Sequence, residues 1–146
     1  GEDIDAQTVT QYDGASRVTA SIFNVAGVEK NRTTYTYGGD RVHTDPPEGQ
    51  TPTTTITDAQ DRTVELREYD KSAAPVPTGT AADYLSTSYT YDAADRLTAV
   101  QDESGNRWTY GYDQRGRQTE ANDPDTGKTT TTYDDLDRPV STTDSR

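Results

Sequence analysis

One pattern recurs along this chain: Tyr-Asp, three residues, Arg, then an apolar residue. It is clearest in Tyr12-Asp13-Gly14-Ala15-Ser16-Arg17-Val18 and in Tyr91-Asp92-Ala93-Ala94-Asp95-Arg96-Leu97. Tyr112-Asp113-Gln114-Arg115-Gly116-Arg117 and Tyr133-Asp134-Asp135-Leu136-Asp137-Arg138 carry it again. Two further copies are degenerate. Thr57-Asp58-Ala59-Gln60-Asp61-Arg62 lacks the Tyr, and Tyr37-Gly38-Gly39-Asp40-Arg41-Val42 is one residue short. The Arg residues stand at 17, 41, 62, 96, 117 and 138, so successive gaps are 24, 21, 34, 21 and 21 residues. A fixed period of this size signals a repeat architecture in which each unit is one supersecondary element.

The element is a β-hairpin. Upstream of the Asp the side chains alternate: Trp108, Tyr110 and Tyr112 fall on one face, Thr109 and Gly111 on the other. Tyr35 with Tyr37 and Tyr89 with Tyr91 keep the same period of two, which belongs to strands. The Asp then opens a turn, because its carboxylate can bond the backbone two residues on. The fourth turn position, Gly116, Asp61, Asp95 or Asp137, is where such a loop needs a residue tolerant of positive φ; Ser16 fits less well. A second strand follows the Arg, as in Val18-Thr19-Ala20-Ser21-Ile22 or Leu97-Thr98-Ala99-Val100. A second turn closes each unit: Asn24-Val25-Ala26-Gly27, Asp45-Pro46-Pro47-Glu48-Gly49, Asp102-Glu103-Ser104-Gly105-Asn106 and Asp123-Pro124-Asp125-Thr126-Gly127. Two strands and two turns make roughly 20 residues. The expected fold is all-β, an antiparallel array of about six repeated hairpins spanning 1–146, with no helix. The long gap is one unit plus an insertion at 71–83, rich in Pro, Ala and Gly, which reads as a loop inside one array.

Composition limits how such an array is held. Leu, Ile, Val and Phe number 17 of 146 residues, mean hydropathy is −1.07 and net charge is −12. A deep aliphatic core is excluded, and so is a membrane-spanning helix, which needs about 18 consecutive apolar residues. The 10 Tyr and 27 Thr are strand formers, which a disordered polar chain usually lacks. The tyrosine rings, with Trp108 as main anchor, are therefore expected to supply much of the buried area by cross-strand packing. The acidic balance and scattered basic residues argue against a nucleic-acid surface. With no Cys there is neither a disulfide framework nor a thiolate metal site. Residues 1–10 lack the pattern of a signal peptide.

These residues resemble the Rhs or YD-repeat family, named for the Tyr-Asp pair. The resemblance runs from about Thr8 to Thr143 and includes the pattern Asp-x-x-Gly-Asn-x-x-x-Tyr-x-Tyr-Asp, intact from Asp102 to Asp113. It implies a piece of β-strip from a shell that, in bacterial members, encloses a C-terminal toxin; animal teneurins carry a related barrel. The implied partners are adjoining repeats of a parent protein and an enclosed toxin domain. The implied location is secreted or at the cell surface. Neither the family's cleavage segment nor an effector domain is recognisable in the chain.

Candidate chemistry is sparse. His43 is the sole His, at the end of an expected strand, and no Gly-x-Ser-x-Gly nucleophile motif accompanies it. It reads as a surface or cross-strand residue. Asp92 with Asp95 and Asp134 with Asp137 recur at every turn, which points to turn chemistry rather than a glycosidase pair. Asp123-Pro124-Asp125-Thr126-Gly127 lacks the later ligands of a calcium loop. No catalytic residue, cofactor or metal is expected. The motif residues are read as structural: Tyr12, Asp13, Arg17, Tyr37, Arg41, Asp58, Arg62, Tyr91, Asp92, Arg96, Trp108, Tyr110, Tyr112, Asp113, Arg117, Tyr133, Asp134 and Arg138. The expected function is wall of a toxin shell. The alternatives are a module that binds glycans or proteins through its Tyr/Thr surface, and a hydrolase built on scattered carboxylates. Open strand edges also lead one to expect self-association of the isolated chain.

Overall fold

The computed structural model describes residues 5–70 and 84–145. It contains twelve strands and, among the described residues, no helix. They are β1 (Ala6–Tyr12), β2 (Val18–Val25), β3 (Val28–Gly38), β4 (Arg41–Asp45), β5 (Thr53–Thr57) and β6 (Thr63–Tyr69). Then come β7 (Tyr84–Tyr91), β8 (Leu97–Gln101), β9 (Arg107–Tyr112), β10 (Gln118–Asp123), β11 (Gly127–Tyr133) and β12 (Pro139–Asp144). The insertion expected at 71–83 lies outside the described residues.

The chain divides into two compact units, Gly1–Leu85 and Ser86–Arg146. In the first, β1 to β6 pair in chain order, each strand antiparallel to the next. In the second, β7 to β12 do the same. The fold is all-β and made of consecutive hairpins, as the alternation predicts.

Register sorts the side chains into two faces, since directly opposed residues share a side. In the second unit Tyr89 opposes Val100, which opposes Trp108. Tyr110, two residues on, opposes Ala121, which opposes Thr129. The other face carries Ala99, Thr109 and Asn122. Trp108, Tyr110 and Tyr112 therefore share a side, as their spacing of two requires. In the first unit Thr36, His43, Thr54 and Arg67 line up on one face, and Tyr37, Val42, Thr55 and Leu66 on the other.

The buried residues differ from those expected. Among the described residues they are Ala20, Ile22, His43, Pro52, Thr54, Ile56, Tyr69 and Ala99; of the tyrosines only Tyr69 is among them. Trp108, Tyr110, Tyr112, Tyr37 and Tyr133 are half-buried. Most buried positions hold small or β-branched side chains, with the rings of His43 and Tyr69 as exceptions, while the other rings keep part of their surface in water. His43 is also not a surface residue, being only 4% exposed. It is cross-strand, opposed by Thr36 and Thr54. Its Nδ1 lies 2.7 Å from the Thr54 hydroxyl, which lies 2.9 Å from the Tyr69 hydroxyl.

The turn between β2 and β3 offers a direct test of local strain. Val25 opposes Val28, leaving a tight loop of Ala26 and Gly27 with φ of 52° and 74°. Both central residues of such a loop must be left-handed, which favours Asn-Gly and disfavours Ala at the first position. Ala26→Asn is expected to raise stability by about 1 kcal/mol, measured as a higher urea midpoint with an unchanged slope.

Candidate functional site

The motif residues assemble at the Tyr-Asp turns. At the first, the Asp13 carbonyl accepts the Ser16 N–H and the Asp13 N–H donates to the Arg17 carbonyl. One Asp13 carboxylate oxygen accepts the N–H groups of Ala15 and Arg17, both at 2.9 Å. The other takes the Arg17 guanidinium at 2.8 Å from Nε and 2.7 Å from Nη2. One carboxylate thus closes the loop and anchors the Arg. The same bonds recur at Asp58–Arg62, Asp92–Arg96, Asp113–Arg117 and Asp134–Arg138. The fourth turn residue is left-handed each time: Ser16, Asp61, Asp95, Gly116 and Asp137 have φ between 60° and 83°. Ser16 obeys the rule that its side chain made doubtful.

These bonds favour the charged carboxylate. Asp13, Asp92 and Asp134 are held below the usual carboxylate range, first by the backbone N–H of Arg17, Arg96 and Arg138. Asp58 is lowered chiefly by the Arg62 guanidinium. At Asp113 partial burial works the other way, but the bonds from Arg117 and Arg115 outweigh it.

The Arg then reaches the next repeat. Arg17 lies over the Tyr37 ring at 4.4 Å, and Arg96 over Tyr112 and Arg117 over Tyr133 at 4.9 Å each. Each of those tyrosines donates its hydroxyl to the carbonyl just after that Arg: Tyr37 to Val18 at 2.9 Å, Tyr112 to Leu97 at 2.8 Å, Tyr133 to Gln118 at 2.7 Å. Arg96 and Arg117 also donate to the carbonyls of Asp113 and Asp134 in the following turn, at 3.0 and 3.1 Å. The motif is therefore a rung of a ladder. The Asp fixes the Arg within one repeat, and the Arg holds the Tyr of the next. Losing one hydroxyl bond tests this: Tyr112→Phe is expected to cost about 1 kcal/mol, read as a lower urea midpoint by fluorescence of Trp108, the sole Trp.

Other motif residues sit differently. Arg41 bonds Asp40 at 2.9 Å, because the turn after Tyr37 is a tight Gly39-Asp40 loop with no Asp cap. Tyr12 is exposed. Trp108 donates its indole N–H to Asp123 at 3.1 Å, which ties the first strand of the repeat to its own second turn. One turn went unrecognised as part of the same device. Asp102 accepts the Asn106 N–H on one carboxylate oxygen and the Asn106 side-chain amide on the other, with Gly105 left-handed. Asn takes the place of Arg, and the shared four-residue spacing from Asp was the available signal. Among the described residues no three His, Asp or Glu side chains converge as metal ligands would.

Comparison with known proteins agrees with this geometry. Residues 78–107 and 91–128 match the RHS Repeat family. No curated protein is significantly similar in sequence. Among solved structures, the chain is similar to crystal structures of TcdB2-TccC3, of TcdB2-TccC3-Cdc42 and of TcdB2-TccC3 without its hypervariable C-terminal region. TM-scores are 0.72, 0.73 and 0.72 at 18%, 18% and 17% identity, over 95% of this chain in each case. The chain spans only 7% of the length of each of those proteins. The matched repeats within residues 78–128, the shared fold and the Tyr-Asp-x-x-x-Arg ladder make this chain similar to the Rhs/YD-repeat family.

Proposed function

We propose that this chain is a non-catalytic length of wall in an Rhs/YD-repeat shell, one that encloses a C-terminal toxin and serves its delivery from a secreted or surface-exposed protein. The observation that carries the reading is the ladder. Its charged and aromatic groups are engaged with neighbouring repeats, at the cross-repeat spacings of the Tyr37, Tyr112 and Tyr133 bonds. That arrangement suits continuity of a sheet rather than turnover of a substrate. It also favours a wall over a glycan-stacking surface, since the rings of Tyr37, Tyr112 and Tyr133 already lie beneath guanidinium groups. The similar solved structures support the reading through their fold, and one of them is described as lacking a hypervariable C-terminal region.

Electron cryo-microscopy of the natural protein that carries this segment tests the proposal. The segment is expected to line a closed cavity, and deleting residues 86–145 is expected to open the contents to added protease. A segment with both faces in bulk solvent, or contents equally protected without it, would overturn the reading.

A further inference from the structure

One titratable ring lies where water scarcely reaches it. β4 runs inside the sheet, between β3 and β5, and His43 on it is 4% exposed. Thr54 and Tyr69, which continue its chain of contacts, are 4% and 6% exposed. Nδ1 lies 2.7 Å from the Thr54 hydroxyl, and that hydroxyl lies 2.9 Å from the Tyr69 hydroxyl. The other ring nitrogen, Nε2, is buried and meets no hydrogen-bond partner among the described residues. The rings form a second chain over the same positions. His43 meets Tyr69 edge-on at 5.6 Å, and Tyr69 meets Tyr84 at 5.6 Å. The Arg67 guanidinium stands 4.6 Å from the centre of the Tyr84 ring. His43 thus joins β4, β5, β6 and the start of β7 within the first unit.

A neutral imidazole either donates or accepts at Nδ1, whereas an imidazolium donates at both nitrogens. Protonation therefore fixes the direction of the Thr54 contact and makes Nε2 a buried cationic donor with no acceptor beside it. Such a group is costly to keep in the folded state. Neighbouring charges do not reverse this. On β4, Asp45 favours the charged ring, while Arg41 pairs with Asp40 at 2.9 Å. β3 opposes the ring with Thr36, and its charged residues, Glu29, Lys30 and Arg32, stand at the far end of the strand. β5 carries no charged residue. On β6, Arg67 opposes Thr54 and pairs with Glu65 at 2.8 Å, and Glu68 opposes Thr53 on the other face. Burial outweighs the pull of Asp45, so the imidazole is held below its usual 6.5.

We propose that His43, Thr54 and Tyr69 are an acid-sensitive latch in the first unit: protonation of His43 parts it from Thr54 and Tyr69 and loosens β4 to β6, while the turns of the second unit still hold. The order follows from the groups involved. The second unit contains no His, and its turns are closed by carboxylates lowered from 3.8. The neutral ring's contribution is complete above about pH 6.5 and declines as pH falls toward the folded value. A latch that takes up one proton on opening changes its opening equilibrium by at most about tenfold per pH unit. The inference rests on this cluster and not on the enclosure reading.

Amide hydrogen exchange read by mass spectrometry at pH 7, 6 and 5, corrected for the intrinsic rate, tests the latch. Opening of residues 41–69 is expected to rise about tenfold from pH 7 to pH 5, with residues 107–133 unchanged. His43→Asn sets a side-chain amide near the place of Nδ1 but cannot take a charge, and is expected to abolish the rise. Asp45→Asn removes the charge that favours the imidazolium and is expected to move the rise to lower pH. His43 is the sole His, so its ring signal in proton NMR is expected to titrate below 6.5 in the folded chain. A rise of the same size in His43→Asn, a rise shared by both units, or protection constant down to pH 5 overturns the proposal. So does a ring that titrates at or above 6.5. Where His43→Asn does not fold, the ring titration and Asp45→Asn decide, and an unshifted rise in Asp45→Asn overturns the proposal. A cavity-free natural protein would remove the enclosure reading and leave the latch standing.

Discussion

Replacing Arg96 by alanine is expected to lower the stability of the second unit by about 2–3 kcal/mol. The size follows from how many bonds end on one side chain. Nε and Nη2 both lie 2.7 Å from the Asp92 carboxylate, Nη1 donates to the Asp113 carbonyl at 3.0 Å, and the guanidinium covers Tyr112 at 4.9 Å. The side chain is 31% exposed, so these bonds are only partly screened by water. An exposed ion pair would contribute less than about 1 kcal/mol. Arg96→Lys keeps the charge but loses the planar fork that reaches three partners at once, and is expected to recover less than half of the loss. Urea unfolding followed by Trp108 fluorescence measures both. Equal midpoints for Arg96→Ala and the unaltered chain would show that the rung is decoration.

Acid is expected to unfold the protein, with most of the loss below about pH 4. Asp13, Asp58, Asp92, Asp113, Asp123 and Asp134 all have carboxyls lowered from the usual value of 3.8. For Asp123 the chief cause is the Thr126 N–H. A group whose folded value is depressed stabilises fully above its unfolded value, and that contribution disappears as pH falls through the folded value. The unfolded chain takes up these protons first, so each turn loses its closing bonds in the same window. His43 gives an earlier, smaller step. Burial lowers it from 6.5, against the opposing pull of Asp45. Its contribution is therefore complete above about pH 6.5 and declines below it. Urea midpoints from pH 8 to pH 2 check both steps. His43→Gln is expected to flatten the upper step and leave the lower one in place. A midpoint constant down to pH 2 would contradict the account of the turns.

How much of this was legible in the sequence depends on the range of the interaction. The turns were plain, because an Asp carboxylate bonding N–H groups two and four residues on is a local event written in consecutive residues. Trp108, Tyr110 and Tyr112 were placed on one face by their spacing alone. The burial of His43 was not legible. It depends on Thr36 and Thr54 being opposed across two different pairings, one closed by the Gly39-Asp40 loop and the other by the longer connection over 46–52, rather than on His43's own neighbours. The tyrosines read as core because their frequency called for a role, but among the described residues all except Tyr69 keep part of their surface in water. The rung itself was half visible. Arg with its own Asp could be read from spacing, whereas Arg with the next Tyr requires knowing that one repeat brings the second strand of one hairpin alongside the first strand of the following one.

The reach of the rungs bears on how the chain acquires its structure. The hydroxyl bonds of Tyr37, Tyr112 and Tyr133 span 19, 15 and 15 residues, short separations for a β protein. Closing so short a segment costs little chain entropy, and sheets with such local pairings escape the slow search that distant strands impose. A polypeptide emerging end first could therefore zip up one hairpin at a time, each new Tyr clipping beneath an Arg already in place before the following segment has been synthesised.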